Sequence, residues 1–361
     1  MTNNAIFQQA KKIKNDEFYT LEQPIYDELH HYTEDRKDFG LHNQFMDKTV
    51  FCNCDDPEWS NFWKYFVKNF EHIGIKKVIS THFEPSGKPS YKMEYDGTKD
   101  SGGNPIYIKT ALTGNGDFRS DECIAILDEV DIVATNPPFS IFREYINLLI
   151  AHNKQFVILG GMNSIPCKDI FPHIKEGRLH LGVNSGSMEF RVPDAFEKNN
   201  VYEKNGVKYA KFGNICWYTN LEHYKMKGFL KLNNRYTGNE QTYPKYDNYD
   251  AIEVGKVDRI PCDYYGAMGV PISILQQLNP DQFEIVGLTK GRYEYECRPT
   301  KRYENCIQHN ADGTESNGSK MNTGAMIALK ERPGGIYYTA KNSSTPLKQV
   351  YPRILIKRVL K

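Results

Sequence analysis

The chain has 361 residues, 25% of them charged and 39% hydrophobic, with a net charge of only +1. No stretch approaches the roughly eighteen apolar residues of a membrane helix, and the polar start MTNNAIFQQAKKIKN lacks the apolar core of a signal peptide, so the composition points to a soluble cytosolic protein with one large domain and a smaller appendage. Its eight cysteines include no CxxC pair; Cys52 and Cys54, separated by Asn53 in a β-like run, read as reduced packing residues, and no metal is expected.

Residues 1–20 are polar and basic and end in Asn15-Asp16-Glu17-Phe18-Tyr19-Thr20. Residues 21–32 place Ile25, Leu29 and Tyr32 on one helical face. The run Lys48-Thr49-Val50-Phe51-Cys52-Asn53-Cys54 is β-like, and Asp55-Asp56-Pro57 offers an acidic N-cap with proline at the first helical position. Phe62, Phe66, Val67, Phe70 and Ile73 follow at helical spacing, and Gly74 closes the helix. Strand, acidic turn and helix open a βαβ unit.

Residues 76–83 read as the next strand, and 87–105, rich in Gly, Pro, Ser and Asp, as a surface excursion. The strand-like IYIKTAL leads to Gly114-Asn115-Gly116-Asp117-Phe118, a helix over 120–129, a strand ending in Thr135, the helix FREYINLLIAH and the strand QFVILGG. Strands alternating with helices predict a doubly wound, mainly parallel α/β sheet. Beyond residue 180, MEFRVPD and NICWYTNL read as late antiparallel strands, and from 225 the only helical period lies near 272–278. Residues 308–325 read as a mobile loop. Residues 291–361 hold thirteen Lys/Arg against six Asp/Glu, a surplus of +7 that leaves the first 290 residues at −6. A basic, tyrosine-rich C-terminal quarter suits a polyanion, although a solvated lysine-bearing surface has the same composition.

The densest chemical signal is Asn136-Pro137-Pro138-Phe139 at the end of Asp131-Ile132-Val133-Ala134-Thr135. An exocyclic amine on a nucleobase is a poor nucleophile because its lone pair is delocalised into the ring. The Asn136 amide oxygen and the Pro137 carbonyl can each accept one of its N–H bonds and draw the nitrogen towards tetrahedral geometry. Pro137 and Pro138 fix φ and remove competing N–H donors, and the Phe139 ring offers a face for an extruded base. A strand-end loop is also where ligands bind in open α/β sheets.

Together with NDEFYT, VFCNCDDPEWSNFWKYF, GDFRSDECI, YPKYDNYD, YYGAMGVPI and the closing RILIKR, the segment ATNPPFSIFREY resembles the EcoRI-type DNA adenine-N6 methyltransferases over most of the chain. The resemblance implies a class I methyltransferase fold (Rossmann-like α/β), S-adenosylmethionine as methyl donor, and double-stranded DNA with a flipped adenine as substrate. It assigns Asn136, Pro137, Pro138 and Phe139 to catalysis, Asp117 and Phe118 to the donor's adenine, and Tyr19 and Thr20 to its methionine moiety. The usual glycine-rich loop after the first strand is missing, which leaves Asn53, Asp55 and Asp56 as candidates there, with Glu84 the nearest acid for the donor ribose. The expected organisation is a catalytic domain over 1–224 and a target-recognition region over 225–361, with 290–350 as an added element. A monomer is expected, with a cognate restriction endonuclease acting on the same site without a stable complex. Cytosine-N4 methylation, methylation of RNA or a protein glutamine, and a DNA-binding module without catalysis stay open at this point.

Overall fold

The alternating strands and helices assemble, in a computed structural model describing residues 18–84, 86–194, 196–197, 200–290 and 298–359, into two units, Met1–Tyr224 and Lys225–Lys361. Asn15, Asp16 and Glu17 lie outside the described residues. The first unit is built on a ten-stranded sheet from β1 (Tyr19–Thr20), β2 (Thr49–Cys52), β3 (Lys77–Thr81), β4 (Tyr91–Tyr95), β5 (Ile108–Ala111), β6 (Ile132–Thr135), β7 (Gln155–Gly161), β8 (His180–Arg191), β9 (Val201–Lys204) and β10 (Val207–Thr219). The order is β1-β8-β10-β7-β6-β2-β3-β4-β5, with β9 paired to β10.

Only β3, β2, β6 and β7 form the parallel centre. Their runs are almost wholly buried, as expected of strands covered on both faces. Strand order reverses between β2 and β6, so the crevice beyond their C-terminal ends is the topological switch point, where Asn53–Pro57 and Asn136–Phe139 emerge. The flanking strands β10, β4 and β5 are antiparallel to their neighbours. Strand β4 lies inside the segment predicted as a surface excursion; Tyr95 at its end is buried against Phe70, and this packing overrides the turn-rich composition around it.

The helix predicted after the acidic turn starts later than expected. Helix α1 spans Glu22–Thr33, and α2 (Asn61–Lys68) and α3 (Phe70–Ile73) break at Asn69. The N-cap of α2 is Ser60, whose Oγ accepts from the N–H groups of Phe62 and Trp63; Asp55 and Asp56 point their carboxylates elsewhere, and Pro57 precedes the helix. Gly74 closes α3 with φ +72°, as expected. Helices α4 (Asp121–Glu129) and α5 (Phe142–Ala151) lie where their periodicity predicts.

Glu28 on α1 is fully buried, and desolvation pushes its carboxyl above the usual range. It accepts from Tyr32 Oη, the Val183 and Asn184 N–H groups and Asn184 Nδ2. Val183 and Asn184 lie at a register shift between β8 and β10, where Glu28 accepts from their N–H groups. Glu28→Leu is expected to cost on the order of 3 kcal/mol, because a buried and a half-buried backbone donor and the buried Tyr32 hydroxyl lose their acceptor. A lowered denaturant midpoint would register this; an unchanged one would contradict it.

The second unit carries a four-stranded sheet of β11 (Ile252–Glu253), β12 (Met268–Pro271), β13 (Phe283–Leu288) and β19 (Arg353–Arg358). A five-stranded antiparallel sheet comprises β14 (Ile307–His309), β15 (Glu315–Asn317), β16 (Met326–Ala328), β17 (Tyr337–Thr339) and β18 (Leu347–Gln349). The closing RILIKR is β19, packed between β12 and β13. The segment predicted as a mobile loop, 308–325, is instead a β14–β15 hairpin followed by a 3-10 turn, Ser319–Thr323, anchored by buried Met321. Its turn-rich composition belongs to the hairpin bend at Asn310–Thr314.

Candidate active site at the ends of the parallel strands

The NPPF loop leaves β6 and is gripped from two sides. Asn136 donates from Nδ2 to the Phe18 carbonyl at 2.5 Å and from its backbone N to Asp55 Oδ2 at 3.2 Å. With the amide nitrogen anchored, Asn136 Oδ1 is buried without a hydrogen-bond partner among the described residues. The Pro137 carbonyl likewise accepts no bond among the described residues, whereas the Pro138 carbonyl accepts from Ile141 N at 3.1 Å. The loop therefore presents two unsatisfied acceptors from adjacent residues, the pair that a planar amine with two N–H bonds would satisfy. Phe139 is half-buried at the rim of an aromatic cluster, 5.9 Å from Phe18 and 6.2 Å from Phe190 between ring centroids.

Asp55, on the turn after β2, locks this loop to the sheet. Its Oδ2 accepts from Thr135 Oγ1 as well as Asn136 N, its Oδ1 accepts from Ser60 Oγ at 2.9 Å, and its carbonyl accepts from Ser80 Oγ. Thr135 is fully buried, and its Oγ1 also accepts from Cys54 N at 3.2 Å. The neighbouring Asn53 is buried; Tyr145 Oη on α5 donates to its Oδ1, while its Nδ2 has no partner among the described residues. Asp56 turns away from the loop to His82, whose Nδ1 lies 2.7 Å from Asp56 Oδ2.

The Gly114–Asp117 turn approaches His82 closely. Gly116 takes φ +79°, and a Cβ there would run into the His82 carbonyl oxygen, so only glycine permits the approach. Asp117 is held by Arg119, with Nε and Nη2 at 2.9 and 2.7 Å from its two oxygens, and this guanidinium holds its carboxyl below the usual range. Phe118 is buried with its ring edge-on to Tyr145, 5.1 Å away. Glu84 follows β3 and accepts from Ser86 N at 3.0 Å, with its Oε2 3.9 Å from His82 Nε2.

Strand β1 closes the crevice from the N-terminal side. It pairs with β8, Tyr19 opposite Arg191 and Thr20 opposite Phe190, and the Thr20 carbonyl accepts from Asn61 Nδ2 at 2.7 Å. Thr20 Oγ1 is buried without a partner among the described residues. The structure thus ties Asn136 to Asp55 directly and through Thr135, and to Phe18 just before the strand of Thr20, while Asn53 lies on the same turn as Asp55. Asp56 and Asp117 approach the crevice from the His82 side, and both their carboxylates already have partners. Sequence reasoning missed Thr135, Ser60, Tyr145 and the Phe18 carbonyl. A threonine closing an otherwise apolar strand was a readable signal; a backbone carbonyl about 118 residues from its partner left none.

The family model of the adenine-specific methyltransferase EcoRI matches residues 6–359. The Type II methyltransferase M.EcoRI of Escherichia coli is 42% identical over 303 residues, covering 80% of this chain and 90% of the relative. The Type II methyltransferases M.MgeORF184P of Mycoplasma genitalium and M.MpnI of Mycoplasma pneumoniae are each 41% identical, covering 80% of this chain and 87% and 86% of their own lengths. No solved structure matches significantly. With the strand-end NPPF loop at the switch point of a class I methyltransferase sheet, the chain belongs to the EcoRI family of adenine-specific methyltransferases.

Proposed function

We propose that the protein methylates N6 of an adenine extruded from duplex DNA, within a short sequence read by residues 225–361, using S-adenosylmethionine. The observation that carries this reading is Asn136: its amide nitrogen is fixed on the Phe18 carbonyl while its buried oxygen has no partner. A buried acceptor left empty costs on the order of 1–3 kcal/mol, which an incoming N–H recovers. Asn136 Oδ1 and the Pro137 carbonyl orient the amine, Pro138 stiffens the loop, and Phe139 takes the face of the extruded base. The work of the chain is orientation and base extraction.

The residues around the crevice fit the donor. Thr20 Oγ1 and Asn53 Nδ2 are buried polar atoms without partners, and the acidic turn Asp55-Asp56 supplies negative charge where a glycine-rich loop would supply only backbone. Tyr19 closes over the methionine part, and Asp117 with Phe118 meets the adenine part once Arg119 yields its place on the carboxylate. Bound there, S-adenosylmethionine supplies a methyl group on a good leaving group. The relatives' designation as Type II methyltransferases supports a restriction-modification role; the reading adds a monomeric enzyme and an endonuclease acting separately on the same sequence.

Nucleoside analysis of duplex DNA incubated with enzyme and donor tests this reading. N6-methyladenine is the expected product; N4-methylcytosine or no product would contradict it. Phe139→Ala is expected to weaken capture of the flipped base about tenfold or more while duplex affinity holds, since loss of one aromatic stacking contact costs roughly 1–3 kcal/mol. A fluorescent base analogue at the target position should lose its extrusion signal in this variant, and an unchanged signal would rule out the stacking role.

A further inference from the structure

In the second unit, Thr289, Lys290, Lys320, Thr323, Gln349 and Tyr351 line a cleft of about 340 Å³. Some cations of this unit are held by carboxylates: Lys245 pairs with Asp250 at 2.8 Å, Lys301 with Asp247 at 2.6 Å, and Arg353 with Glu253 at 2.6 Å. Lys290 and Lys320 are exposed, and neither meets a carboxylate among the described residues. Beside them Tyr351 is 82% exposed, an unusual position for a ring of that size. The walls are fixed. The Lys320 carbonyl accepts from Thr323 Oγ1 at 2.8 Å and from Gln349 Nε2 at 2.9 Å, and Thr289 bonds Arg353 through both its N–H and its Oγ1.

Two ammonium groups that meet no carboxylate among the described residues, beside an exposed phenol ring on a hydrogen-bonded cleft, match a phosphodiester with its sugar and base edge. We propose that this cleft docks the backbone of duplex DNA, with Lys290 and Lys320 flanking a phosphate and Tyr351 packing against the adjoining nucleotide. The inference rests on the reading above that duplex DNA is the substrate. Its contacts are independent of sequence, so the cleft sets register and affinity and leaves base discrimination to other parts of the unit.

The test is equilibrium binding of the full chain to cognate and scrambled duplexes over a range of salt concentrations, for wild type, Lys290→Gln, Lys320→Gln and the double variant. Both lysines are exposed, so the variants should melt like wild type. Each substitution is expected to weaken both duplexes alike and to reduce the slope of log affinity against log salt by about 0.9, with kcat at saturating DNA unchanged. Tyr351→Ala should weaken both duplexes and keep the slope. If wild type binds duplex and the lysine variants keep its slope, the dock is overturned and the proposed activity stands. A lysine-dependent slope with single-stranded RNA but not with duplex also overturns it. Failure of the wild-type chain to bind any duplex would overturn the reading on which the dock rests.

Discussion

Asn136→Ala is expected to lower turnover by two or more orders of magnitude, on the order of 3 kcal/mol in the barrier, while donor affinity changes little. The substitution removes the only side-chain acceptor that the NPPF loop offers to an amine, and it releases the Nδ2 anchor on the Phe18 carbonyl. The two roles separate in Asn136→Asp, which keeps an acceptor and loses the donor to Phe18, so its turnover should fall between wild type and alanine. Single-turnover rates with donor binding measured in parallel check both expectations. Near-normal turnover in the alanine variant would remove Asn136 from the chemistry.

The second large effect is expected at Asp55. Its carboxylate ties Ser60, Thr135 and Asn136 together, so Asp55→Ala leaves two hydroxyls and the Asn136 N–H without their acceptor. The NPPF loop would then be held mainly from the Phe18 side, and misplacement of the amine acceptors by an ångström is enough for a loss on the order of 100-fold in kcat. In the donor pocket proposed above, Asp55 supplies charge, so donor affinity should fall as well. Thr135→Val tests the loop role: it removes the Oγ1 bonds to Asp55 and from Cys54 N, keeps the shape of the side chain, and is expected to lower kcat about tenfold with donor affinity retained. Unchanged kcat in both variants would mean that the acidic turn does not position the loop.

Much of this site was readable because its parts are local. The buried run ending at Thr135 announces a central strand, the double proline announces a loop that cannot continue it, and the apolar face from Phe142 announces the helix behind. What the sequence concealed depends on contacts between distant segments. Asp55 and Asp56 have the composition of an N-cap, but Ser60 takes that position and frees Asp55 to reach across to Asn136. Asp117 carries no mark of its bidentate pairing with Arg119 two residues on, because that geometry depends on the turn set by Gly116. Strand β4 and the β14–β15 hairpin were hidden for another reason: short strands set among turn residues have too little alternation to register, and their pairing partners decide them.

Single-molecule sequencing of plasmid DNA from a methylation-free host expressing the chain, beside the Asn136→Ala variant, tests the central claim most directly. N6-methyladenine confined to one short motif with wild type, and lost with the variant, is the predicted result. Unmodified DNA from soluble, donor-bound wild-type protein, or equal modification by the variant, would contradict it.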